Sequence, residues 1–225
     1  MTQNDTRKNQ IEEAIEVAAE AHHGQYRKGT HTPYITHPYA VGLILMEAGC
    51  TEIVIIAGIL HDTVEDTDLT LDFIRERFGD AVANIVDGCS ENKALRWRAR
   101  KTEKIEALRT ESPEVCTVTC ADKLHNLRTI ISEYDDIGDS VWDRFHGGVE
   151  DQAWYYRSIL SAIADRDATL HRNGVHAKLT THANGVTQHP PDDQKTPTPL
   201  DSTINPQIFR QFQQAVAYLF QGDTE

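Results

Sequence analysis

The sequence is poor in the features that would take it outside the ordinary globular class. Its four cysteines, Cys50, Cys89, Cys116 and Cys120, contain no C-x-x-C pair. Their spacing suits neither a zinc knuckle nor a disulfide scaffold, so free buried thiols are expected. The longest apolar run, residues 53–60, is too short to span a bilayer, and the polar opening MTQNDTRKNQ does not resemble a secretory signal. Positive charge is in deficit: 22 Lys and Arg against 35 Asp and Glu leave −13. That balance argues against general affinity for nucleic acid or anionic lipid. No strand pair, hairpin signal or internal repeat is readable. A cytoplasmic protein without nucleic-acid or membrane partners is the expectation.

What is present is helical periodicity. The 225 residues, 39% hydrophobic and 25% charged, suit one core with an appendage. Ile11, Ala14, Ile15 and Ala18 recur at three- and four-residue spacing after Asp5, a candidate cap, and predict a helix over 6–21. His37-Pro38 opens a second, closed by Gly49. Thr51 is placed to cap a third, running through IVIIAGIL, whose apolar residues cover its whole circumference and put it in the middle of a bundle. Further helices are predicted over 71–78, 81–86, 101–108, 113–133 and 149–172. Residues 173–206 hold five of the eight prolines and no Phe, Trp or Tyr. The pattern therefore divides into a domain over 1–172, a Pro-rich polar linker over 173–206, and a C-terminal helix over 207–225 that docks on the main domain.

The segment AGILHDTVEDTDLT carries the most chemistry. On a continuous helix His61, Asp62, Glu65 and Asp66 crowd adjoining faces of one turn, three of them carboxylates at a helix end that disfavours anions. A solvated acidic helix exit is the simplest account. The apolar run just upstream, however, holds this turn against the core, where unpaired charge is costly, and a divalent cation would relieve both burial and repulsion. Further donors are then needed. His37, beside Pro38, is one candidate; Asp122, inside an apolar helical stretch with Asn126 one turn on, is another.

These residues stand in the order H…HD…D, and the chain thereby resembles the HD-domain phosphohydrolases. The segments GQYRKGTHTPYITHP, ILHDTVEDTDLT, FGDAVANIVDG and CADKLHNLR, in that order, are similar to one branch: the alarmone, or (p)ppGpp, hydrolase domain of the Rel/Spo family. The resemblance covers roughly residues 6–165. It implies an all-α HD-domain helical bundle with a metal site in its centre. With too few further residues for a synthetase or regulatory domain, a stand-alone small alarmone hydrolase is expected. By position it implies metal binding by His37, His61, Asp62 and Asp122, with one Mn²⁺ as the usual ion, although two imidazoles and two carboxylates by themselves leave the metal open. Glu65 and Asp66 resemble the pair that orients and deprotonates the attacking water. Asn126 resembles a residue near the substrate sugar, and Arg27 and Lys28 the basic pair near base and phosphates, on a segment one residue longer than in many family members.

A basic run supports a polyanionic ligand independently. Lys93, Arg96, Arg98, Arg100, Lys101 and Lys104 fall within residues 93–104, and Lys93, Arg100 and Lys101 are the candidate phosphate contacts. A solvated basic helix face is the alternative. The resulting expectation is hydrolysis of the 3′-pyrophosphate of (p)ppGpp, a small-molecule nucleotide. Related phosphohydrolases acting on (p)ppApp or NADPH, and a non-catalytic alarmone-binding module, are the rival readings.

Overall fold

A computed structural model describes residues 9–183 and 203–221, with backbone alone for 173–183. It is all-α among the described residues, apart from an isolated bridge between Tyr26 and Pro33. In chain order the helices are α1 (Gln10–Ala21), α2 (Thr36–Glu47), α3 (Glu52–Leu60), α4 (Thr63–Asp66), α5 (Leu71–Phe78), α6 (Asp80–Cys89), α7 (Trp97–Leu108), α8 (Pro113–Ile137), α9 (Gly148–Ala183) and α10 (Pro206–Leu219), with a 3₁₀ segment, Gly138–Arg144, after α8.

α3 lies at the centre, as its all-round apolar surface requires: residues 54–60 are all buried. α1, α2, α6 and α8 pack around it. α8 is the second axis, started by Ser112, whose Oγ accepts from the Val115 N–H, and by Pro113 in the first turn. Two glycines set the spacing between α2 and α3. A Cβ on Gly42 would stand 2.6 Å from Ile59 Cγ1, and one on Gly58 would run into Leu45 Cδ1. Only glycine permits this approach, which brings the start of α2 beside the end of α3.

Several boundaries differ from the sequence expectation, each for a local reason. Asp5 lies outside the described residues; Asn9 caps α1 instead, its Oδ1 accepting from the Ile11 N–H at 2.9 Å. Pro38 is the third helical residue of α2, still within the first turn, where a missing N–H leaves no bond unmade. Thr51 occupies the cap position of α3 without a side-chain cap bond. The turn at residues 61–66 is not continuous with α3. The Thr63 hydroxyl donates to Leu60 O at 2.7 Å, the helix breaks at His61 and Asp62, and it resumes as α4.

The first part of the segment expected as a linker over 173–206 is helical. α9 stays helical through Ala183, because Asn173 and Gly174 weaken a helix by only about 1 kcal/mol and the first proline beyond them is Pro190. Residues 184–202 and 222–225 lie outside the described region. α10 starts with Asn205 Oδ1 accepting from the Gln207 and Ile208 N–H groups. It packs on α8 and α9 through Ile208, Phe212 and Val216. The four cysteines are free thiols. No helix among the described residues is long and apolar enough to cross a membrane.

Candidate metal centre

Three helices deliver four side chains to one point. His37 comes from the first turn of α2, His61 and Asp62 from the break after α3, and Asp122 from the middle of α8. Donor atoms of His37, His61 and Asp122 all lie within 4.8 Å of one another. His37 Nε2 is 3.2 Å from Asp122 Oδ1 and 3.6 Å from Asp62 Oδ2. His61 Nε2 is 3.1 Å from Asp62 Oδ1 and 3.9 Å from Asp122 Oδ1. His61 and Asp62 keep right-handed helical dihedrals although the regular helix lapses there, and both side chains reach this point.

The donor set fits a divalent cation. His61 Nδ1 donates to Gly58 O at 2.8 Å, which fixes one proton on Nδ1 and turns Nε2 toward the cluster. That buried Nε2 has no aligned hydrogen-bond partner, despite the nearby Asp62 oxygen. His37 Nδ1 meets His125 Nδ1 at 2.7 Å and likewise leaves Nε2 for the cluster. The carboxylates are steadied from outside. The Tyr34 hydroxyl donates to Asp62 Oδ2 at 2.6 Å, Asn126 Nδ2 donates to Asp122 Oδ1 at 2.6 Å, and Lys123 Nζ is 2.7 Å from Asp122 Oδ2.

The electrostatics follow from burial and proximity. Burial alone would raise both aspartates; His61 and His37 hold Asp62 below the usual carboxylate range, and Lys123 with the two histidines does the same for Asp122. For His61 burial pushes downward, yet Asp62 and Asp122 outweigh it and lift the imidazole to about 9. His125 is pushed down to about 4 by burial, His37 and Arg27, so it stays neutral and able to accept from His37. Glu65 is raised by burial and by Glu91 and Asp66.

The remaining expected residues divide. Glu65 Oε2 accepts the Glu91 N–H at 3.0 Å, and Asp66 pairs with Lys93 and lies 3.4 Å from the Tyr34 hydroxyl. Both line a 170 Å³ pocket over the cluster, together with Arg27, Arg100, Lys101, Lys123 and Asn126. Arg27 Nη2 donates to Asn126 Oδ1 at 2.8 Å. Lys28 lines only the adjoining chamber of 360 Å³, which shares Arg27, Tyr34 and Asn126 with the pocket and is walled by Ile130, Phe145 and Tyr156.

The basic run is not one wall. Helical rotation of α7 sends Arg98 to Asp151 and over the Trp154 ring, and Lys104 to the Gly88 carbonyl. Arg100 and Lys101 face the pocket but pair with Glu91. Among the aromatic residues open to stacking, Tyr26 is exposed, Trp97 stacks on His146, Tyr155 is buried, and Tyr156 reaches the chamber.

Sequence reasoning missed Tyr34, Glu91 and Lys123, and placed His125 beside the Asp122 turn without giving it a role. His125 was findable, since it lies three residues after Asp122 and hence on the same helical face. Lys123 was findable too, as a cation in an otherwise apolar stretch. Nothing local marks Glu91.

Comparison with known proteins gives four similarities. The HD domain family model matches residues 14–144. A mouse protein named guanosine-3′,5′-bis(diphosphate) 3′-pyrophosphohydrolase MESH1 is 45% identical over 124 residues, covering 54% of this chain and 69% of its own. A Streptomyces coelicolor GTP pyrophosphokinase is 42% identical over 125 residues, of whose length the chain spans only 15%. Among solved structures, one described as a metazoan ortholog of SpoT that hydrolyzes ppGpp superposes with a TM-score of 0.58 at 26% identity, covering 73% of this chain and 96% of that one.

Proposed function

We propose that this chain, which belongs to the HD domain family, hydrolyses the 3′-pyrophosphate of (p)ppGpp to pyrophosphate and GDP or GTP, using one divalent cation, Mn²⁺. The observation that carries the proposal is the convergence of His37, His61 and Asp122 donors within 4.8 Å at the base of a pocket that also holds Glu65 and Asp66. The mouse and metazoan relatives named for this reaction support the choice of substrate.

His37, His61, Asp62 and Asp122 would hold the cation. Its chemistry is Lewis acidity, which eases deprotonation of water and offsets charge on phosphate oxygens. The chain supplies the rest. Glu65, raised by burial and its acidic neighbours, is suited to take a proton from water near neutral pH. Asp66, paired with Lys93, supports the acidic turn and orients the water. Water oxygen joins the phosphorus attached to O3′, the P–O3′ bond breaks, and the departing O3′ receives a proton. Arg100 and Lys101 line the pocket on the side from which pyrophosphate would leave, and Lys93, paired with Asp66, would lie near its rim. Arg27 and Asn126 stand at the seam between pocket and chamber, where the ribose would lie, with Lys28 inside the chamber near the base. The apolar wall of Ile130, Phe145 and Tyr156 suits a purine.

Incubation of the purified chain with Mn²⁺ and ppGpp should release pyrophosphate. A panel including ppApp and NADPH sets the specificity, and no turnover of ppGpp alongside ready cleavage of another nucleotide would overturn the substrate.

A further inference from the structure

Glu91, on the loop between α6 and α7, meets the site from two directions. Its backbone N–H donates to Glu65 Oε2 at 3.0 Å. Its carboxylate, on a side chain only 7% exposed, accepts from Lys101 Nζ on both oxygens at 2.8 Å and from the Tyr155 hydroxyl at 3.1 Å, while Arg100 Nε lies 3.0 Å away. Lys101 also sits 4.6 Å from the centre of the Tyr155 ring. The two cations of α7 that face the metal pocket are therefore both engaged by an anion of the chain itself.

We propose that Glu91 is a positioning residue: its carboxylate is the resting counter-anion of Arg100 and Lys101, holding them toward the pocket until a phosphate group of the ligand takes its place, while its own amide sets Glu65. This rests on the phosphohydrolase reading above. Adjacent cations repel, and long basic side chains without a partner spread into solvent; a buried carboxylate between them removes both problems. The same contact opposes an incoming phosphate, since ligand and carboxylate compete for the same donors. Because the bond to Glu65 comes from the main chain, it survives replacement of the Glu91 side chain. Removing the charge and removing the hold on Glu65 are thus separable changes.

The test is calorimetric titration of the full chain with pyrophosphate, added as its manganese complex at fixed free Mn²⁺. Glu91→Gln keeps size and amide but loses the charge, and should bind pyrophosphate about tenfold more tightly, the low end of what one hydrogen bond to a charged group contributes. Glu91→Asp keeps the charge and should bind as the parent does. A purely structural Glu91 would lower the melting temperature and leave affinity unchanged or weaker, so equal, weaker or absent binding by Glu91→Gln overturns the proposal. Should that variant fail to fold, the parent chain still decides: pyrophosphate should shift the Lys101 Nζ resonance while the Glu91 amide stays protected from exchange, and an unmoved Lys101 signal refutes the exchange of partners. Absence of ppGpp hydrolysis by the parent chain, with the pyrophosphate difference intact, would instead remove the substrate reading and leave the role of Glu91 standing.

Discussion

The Tyr34 hydroxyl donates to Asp62 Oδ2 at 2.6 Å and lies 3.4 Å from Asp66 Oδ2, so one phenol links a candidate metal ligand to the acidic turn that follows it. Burial and the nearby aspartates raise its pKa, which keeps the proton on Tyr34 and the donation one-way. Tyr34→Phe should retain the fold and weaken Mn²⁺ binding by about 10- to 100-fold, as loss of an outer partner of a ligand does. Electron paramagnetic resonance of free Mn²⁺ across a titration measures it; parent-like affinity would show that Asp62 needs no such support.

The raised His61 gives a pH dependence with a definite sign. In the metal-free chain the imidazole stays protonated up to about 9, and a cation must displace that proton. Metal affinity should therefore rise about tenfold per pH unit between neutrality and that value, then level off. Stability should run the other way. A histidine raised above its unfolded value of 6.5 stabilises the folded chain fully below that pH and loses the contribution as pH climbs through about 9. Melting of the chelator-treated chain should fall across that window, while melting of the metal-loaded chain should not. Calorimetry in buffers of different ionisation enthalpy counts the protons released.

Gly58→Ala should lower stability by about 1–3 kcal/mol through overpacking against Leu45. Because the same contact spaces α2 from α3, it should also weaken metal binding by separating His37 from His61. Chemical denaturation and a metal titration on one sample test both, and a stability loss with unchanged affinity would break the connection between glycine spacing and the site.

Glu65→Gln should leave metal binding near the parent value and reduce kcat by about 10² to 10⁴-fold, the range for a lost proton acceptor. Steady-state kinetics with ppGpp reads this directly; a rise in KM with kcat preserved would assign Glu65 to binding.

His61 and Asp62 mark where local reasoning ended. Their adjacency to an apolar helix flagged a buried acidic turn, but which distant side chains meet them was not written in the local sequence. The Thr63 hydroxyl takes the Leu60 carbonyl where the regular helix lapses. Arg98 and Lys104 show the same limit from the other side: they belong to a basic run by sequence, and the rotation of α7 turns them away from the pocket.

The chain alone determined that the fold would be all-helical, that α3 would be central, and which side chains could offer metal donors. Those properties reside in periodicity and residue chemistry within a few turns. Packing decided that residues 37, 61 and 122 meet, that Tyr34 and His125 back their ligands, and that Glu91 engages the cations expected for phosphate. Such contacts span tens of residues and depend on how closely whole helices approach, a distance set here by a missing Cβ at Gly42 and Gly58.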